Sequence, residues 1–198
     1  MQNKSMNKKY TASLALIVLT VCAIGYGAMA FSNGVSQETP VVAAQRGYID
    51  GWITVTKTDG KTGEVTYLAK NEHNVLTRVG ASAIRDLIGG GTAGAAFDYI
   101  ALGNNTNVTT TSIALWDEIN ETGLARAQGT TYLDGVGNWT LTHIFTSQSN
   151  DIIVNTTGVY NHTSEDDNML LAGSDFTSAT LQSSDTIQIT WAFNVTGG

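Results

Sequence analysis

Two stretches of strict alternation constrain the fold of this chain more than any other feature. In residues 138–146 (NWTLTHIFT), Trp139, Leu141, His143 and Phe145 hold one parity while Thr140, Thr142, Ile144 and Thr146 hold the other. In residues 185–195 (DTIQITWAFNV), Ile187, Ile189, Trp191 and Phe193 alternate with Gln188, Thr190 and Ala192. A period of two belongs to a strand with one face buried and one face wet, because successive Cβ atoms point to opposite sides of a sheet. Residues 48–56 (YIDGWITVT) and 64–70 (EVTYLAK) repeat the pattern, and the Asp59-Gly60 pair between them signals a hairpin turn. Further strand-like runs occupy 97–102, 124–133, 151–155, 158–161, 169–171 and 176–181, with a second turn signal at Asp134-Gly135-Val136-Gly137. Only residues 78–88 break the rule: Val79, Ala83, Ile84, Leu87 and Ile88 share a helical face, Thr77 can cap the start, and Gly89-Gly90-Gly91 stops it. The expectation is an all-β domain, a jelly-roll-like β-sandwich closed at one end by one short helix.

The first thirty residues read as an address. Lys4, Lys8 and Lys9 precede an apolar run at 12–24, and Ala28-Met29-Ala30 offers an A-x-A cleavage site between Ala30 and Phe31. The run is short for a bilayer span, although extension to Phe31 gives a marginal anchor, and a pilin-type leader is a third reading. The expected organisation is a signal peptide at 1–30, a tail at 31–45 (FSNGVSQETPVVAAQ) carrying the single proline, Pro40, and a β-sandwich domain at 46–198.

With the leader gone, composition becomes informative. Residues 1–30 hold three of the ten Lys and Arg and none of the seventeen Asp and Glu, so the remainder carries -10. Such acidity disfavours nucleic acid as a partner, since duplex binding depends on cations displacing counterions. The single cysteine, Cys22, lies in the leader, which leaves no thiol for a disulfide or for catalysis. Sequons stand at Asn104, Asn107, Asn120, Asn138, Asn155, Asn161 and Asn194. They read either as N-glycosylation sites of a secreted protein, with Asn104, Asn107 and Asn161 on loops and the others at strand ends, or as accidents of a chain rich in Asn and Thr.

No constellation for catalysis stands out. His73, His143 and His162 lack zinc-ligand spacing, and no G-x-S-x-G elbow occurs. Gly89-Gly90-Gly91 follows a helix instead of opening one, the wrong polarity for a phosphate cradle. Asp117-Glu118 and Glu165-Asp166-Asp167 lack the calcium-loop pattern and read as solvated loops. The chain therefore reads as a structural or binding protein, not an enzyme, with no cofactor and no metal.

The succession FDYIALG (97–103), TSIALWDEI (111–119), GLARA (123–127) and DTIQITW (185–191) resembles a secreted β-domain of archaeal surface proteins and tail-fibre-like viral proteins. Together with the leader, tail, sequons and missing cysteines, the whole is similar to subunits of archaeal extracellular filaments, the bundling pili and adhesive threads, which are related in fold to the bacterial biofilm-matrix fibre protein of the camelysin type. The resemblance implies a homopolymer, built for adhesion or biofilm formation, in which the N-terminal strand of one subunit completes the sheet of the next. The donor would be residues 31–45, with Val35, Val41, Val42, Ala43 and Ala44 making the apolar contacts. Other classes remain: a disordered tail tethering an anchored or secreted carbohydrate-binding module, with Trp116 as its exposed aromatic, or a virion protein, which the leader disfavours.

Overall fold

The computed structural model describes residues 48–89, 96–121, 123–163 and 169–196, within the compact unit Gln45–Gly198. The expected leader with its Ala30/Phe31 junction, and the expected donor residues Val35, Val41, Val42, Ala43 and Ala44, lie outside the described residues. The elements run β1 (Tyr48–Thr58), β2 (Val65–His73), β3 (Val75–Leu76), α1 (Arg78–Gly89), β4 (Tyr99–Gly103), β5 (Ala127–Gln128), β6 (Thr130–Leu133), β7 (Asn138–Thr146), β8 (Ile152–Tyr160), β9 (Leu170–Leu181) and β10 (Thr186–Thr196). They form two antiparallel five-stranded sheets, in the orders β2-β1-β10-β7-β6 and β3-β9-β8-β4-β5.

The first sheet obeys its alternation. Cross-strand register aligns Ile53 with Trp191 and Leu141, and Val55 with Ile189. These side chains are buried against Val154, Val159, Phe176 and Leu181 of the second sheet in one apolar core. The fully buried Trp191 lies parallel to Phe193 at 5.9 Å between ring centroids, and Phe193 in turn stacks on Trp139 at 4.9 Å. The opposite parity faces outward. On β1 it reads Asp50, Trp52, Thr54, Thr56, Thr58; on β10, Asn194, Ala192, Thr190, Gln188, Thr186; on β7, Asn138, Thr140, Thr142, Ile144, Thr146.

In the second sheet the alternation disappears. Instead of two short strands each, β8 and β9 are continuous across Thr156-Thr157 and Gly173-Ser174, with residues 156–160 and 170–174 buried on both faces. The inner face meets the first sheet. The outer face is covered by residues 104–126, which hold Leu115 and Val108 against Ala101, Tyr160 and Leu170. A strand covered on both sides needs small or apolar residues everywhere, so the polar-out signal is lost. Two glycines permit the cover to approach. A Cβ on Gly173 would stand 2.6 Å from Val108 Cγ1, and one on Gly158 would stand 2.5 Å from Leu170 Cδ1 and 3.2 Å from Leu115 Cδ2.

The run expected as one strand over 124–133 is two. β5 pairs with β4 in the second sheet and β6 with β7 in the first, so the chain changes sheets at Gly129. A Cβ at Gly129 would sit 2.7 Å from Leu141 Cδ1, so glycine is what lets the corner close. The chain crosses back on the other side: β2 pairs with β1, Asn74 N–H donates to Gly51 O at 3.1 Å, and β3 pairs with β9. Both margins between the sheets are thus bridged by continuous chain.

The helix begins where expected. Gly80 N–H donates to Thr77 Oγ1 at 2.9 Å, and the Thr77 hydroxyl donates to Leu170 O, which ties the cap to β9. Of the anticipated apolar stripe, Ala83 is buried and Ile84 packs on the core, but Leu87 and Ile88 project into solvent.

Candidate assembly and binding surfaces

Three polar centres tie the loops to the sheets. The first is Asp185, 2% exposed, at the turn before β10. Gly60 N–H donates to its Oδ1 at 2.9 Å, Gln182 N–H to its Oδ2 at 2.9 Å, and Lys57 Nζ lies 2.9 Å from Oδ2. Burial pushes this carboxyl up, but the two backbone donors and the Lys57 ammonium together outweigh it and hold the pKa below the ordinary value. The second is Arg126. Its guanidinium grips Glu118 bidentately at 2.8 and 2.7 Å, lies 3.6 Å above the Tyr160 ring, and donates to His162 O at 3.1 Å. Tyr160 accepts Leu115 N–H at 2.7 Å, and burial pushes its phenol well above the usual range. The third is His143, half-buried and edge-on to Phe145 at 4.5 Å, whose pKa burial lowers against an opposing hydrogen bond at the Gln128 backbone. Each of the three joins segments distant in sequence: Asp185 to Gly60, Arg126 to His162, and His143 to Gln128.

The acidic pairs resolve differently. Glu118 is consumed by Arg126, Asp117 accepts Asn105 Nδ2 at 3.3 Å from a left-handed backbone (φ 50°), and Glu165-Asp166-Asp167 falls outside the described residues. Among the described residues no group of three or more His, Cys, Asp or Glu could hold a metal ion. Among them, too, no helix is long and apolar enough to cross a membrane.

The sequon asparagines separate by accessibility. Asn104, Asn107 and Asn120 are exposed within the loop 104–126, and Asn138 is exposed at the first position of β7. Asn120 is therefore a loop residue and not a strand-end one. Asn194 is half-buried next to Asn138 in cross-strand register. Asn155 lies inside β8, not at its end, and its amide donates to Asn104 O at 3.1 Å. The loop position expected for Asn161 is corrected: it follows β8 directly, is 5% exposed, and directs its amide at Met169 Sδ, 3.3 Å away.

Among the described residues, two surfaces with exposed apolar side chains bear on the expected assembly and binding roles. One is the end of the first sheet where β1 starts. There the inner face outruns its cover: Leu133 is 84% and Val195 46% exposed, with Ile49 and Trp139 half-buried beside them, and β6 is the sheet's edge. The other is the loop 104–126, where Trp116, 64% exposed, and Ile113 border a groove of about 540 Å³ together with Thr109, Thr111 and Ser112. The alternation marks Trp139 and Trp191 for the core, where Trp191 is fully buried and Trp139 half-buried, and the loop position of Trp116 marks it as the exposed tryptophan. The overhang had no signal, because Leu133 and Val195 carry the same parity as their buried neighbours. No family model, curated protein or solved structure matches the chain.

Proposed function

We propose that this chain is the structural subunit of a secreted cell-surface filament, a jelly-roll-like domain polymerised head to tail by the N-terminal segment of a neighbouring copy. The observation that carries this reading is the uncovered apolar overhang of Leu133 and Val195 beside the edge strand β6. An edge strand presents unpaired N–H and C=O groups, and an extended segment added to it gains main-chain hydrogen bonds while alternate side chains enter apolar ground. Residues 31–45 precede β1, which starts at this same end, and their Val41-Val42-Ala43-Ala44 run is short enough for the four-residue β6. Pro40, lacking an N–H, marks where pairing stops. A segment passed from each copy to the next makes a heterologous contact that does not close, so the product is a fibre. Glycans on Asn104, Asn107, Asn120 and Asn138 would sheathe it, and adhesion or biofilm formation is the role this architecture serves.

Electron microscopy tests the reading with protein starting at Phe31 beside protein starting at Arg46. Filaments are expected from the first alone, and a cysteine at Thr131 combined in turn with cysteines at Val41, Val42 or Ala43 should give cross-linked ladders. Fibres from both proteins, or monomers from both with no cross-linking, would reject strand donation. A second reading, a binding module, rests on exposed Trp116 at its groove; Trp116→Ala should then abolish glycan binding without affecting assembly.

A further inference from the structure

The outward face of the first sheet is unusual for a solvated surface of an acidic protein. Along the central strands β1, β10 and β7, threonine recurs in most outward positions, and the only charged residue is Asp50, at one end. Beside them on β2, exposed Lys70 stands in register with Thr54, its ammonium 5.4 Å from the centre of the Tyr67 ring. Aromatic rings frame this field: Trp52 against His73 at 5.3 Å, Tyr67 60% exposed on β2, and Tyr132 57% exposed on β6. Ordinary solvated sheets intersperse Lys and Glu for solubility, whereas these three central strands present mostly hydroxyls, with rings at their margins.

We propose that this face binds a neutral polysaccharide chain. A sugar polymer offers alternating hydroxyls and apolar C–H patches, and carries no charge for the face to neutralise. Threonine suits the hydroxyls because β-branching holds χ1 in few rotamers, so little side-chain freedom is lost on binding. The hydroxyls are already in register: Thr142 Oγ1 lies 3.1 Å from Thr190 Oγ1, and Gln188 Nε2 donates to Thr142 Oγ1 at 3.4 Å. Strand geometry spaces such rows by about 4.8 Å across the sheet and about 6.7 Å along it, so the face spans several sugar residues. Trp52, Tyr67 and Tyr132 supply ring surface for the C–H patches. An anionic polymer meets one outward cation on these strands, Lys70, already over the Tyr67 ring, on a chain of net negative charge, and the site does not depend on polymerisation, since it faces away from the overhang.

The test is depletion of the full chain, made in a host without N-glycosylation, by suspensions of microcrystalline cellulose, chitin and starch, with pectate as the anionic comparison, at low and high salt. Salt-independent binding to at least one neutral polymer is expected. A Thr56→Val, Thr140→Val, Thr186→Val triple variant keeps shape and strand preference and spares the bonded Thr142–Thr190 pair, so it should weaken binding at least about tenfold with an unchanged thermal midpoint. Tyr67→Ala with Tyr132→Ala provides a second variant on exposed positions with the same expectation, and Trp116→Ala should bind as the parent does. No binding to any neutral polymer, salt-sensitive binding to pectate alone, or undiminished binding by both face variants would overturn the proposal.

Discussion

Replacing Asp185 by alanine tests whether one carboxylate clasps two turns and β1 together. The side chain accepts Gly60 and Gln182 N–H groups and pairs with Lys57, and its own backbone exchanges bonds with Ser147 and Gln182. Hydrogen bonds to a charged group are worth roughly 1.5–3 kcal/mol each when buried. Here Gly60 is exposed and the Lys57 side chain is 21% exposed, so both recover water when the carboxylate goes, and the sum falls to about 3 kcal/mol. For a domain of this size that is a loss of about 6–12 °C in the thermal midpoint. Asp185→Asn, which keeps an acceptor oxygen but no charge, should lose about half as much. The pH dependence fixes the sign. Because the folded carboxyl is held below its ordinary 3.8, its stabilisation is complete above that value and is lost as pH falls through the folded value. Thermal unfolding followed by circular dichroism between pH 2 and 7 should show the gap between parent and Asp185→Asn narrowing in acid. A midpoint for Asp185→Ala within 2 °C of the parent at pH 7, or an acid-independent gap, would refute the clasp.

Two further outcomes follow from the covered second sheet. Gly173→Val should cost about 1–3 kcal/mol by forcing Val108 off β9, read as a lower denaturant midpoint together with faster proteolysis within residues 104–126. Glu118→Gln leaves the Arg126 charge buried over Tyr160 and should cost about 3–5 kcal/mol, whereas a Glu118→Met, Arg126→Met double variant should recover much of that loss in the same titration.

The parts of this fold legible in the sequence are those with one wet face. β7 and β10 could be read because each outward threonine contrasts with an inward Leu, Ile, Phe or Trp, and the first hairpin because Asp59-Gly60 sits between two alternating runs. The helix was legible through Thr77 and the stripe from Val79 to Ile84. What could not be read depends on burial from a second side. Thr156, Thr157 and Ser174 look like loop residues in sequence, yet they are buried strand positions whose hydroxyls donate to backbone carbonyls, Thr157 to Ala101 O at 2.8 Å. The same holds for Asn161, whose sequon gives no sign that the amide is buried. The overhang at Leu133 and Val195 was hidden because it depends on where the other sheet ends, and alternation carries no information about that.

The order of the first sheet also determines how the domain carries load. Tyr48 and Thr196 are paired at one end of β1 and β10, so tension between these two chain positions opens the ladder rung by rung, like a zip. A pull that enters along β1 and leaves along β6 must instead cross three ladders lengthwise, β1 to β10, β10 to β7 and β7 to β6, and strain many hydrogen bonds together. With chain crossing between the sheets at Asn74 and Gly129, the layers cannot slide apart to relieve that strain. The same molecule is therefore weak when peeled at its ends and strong when sheared from edge to edge.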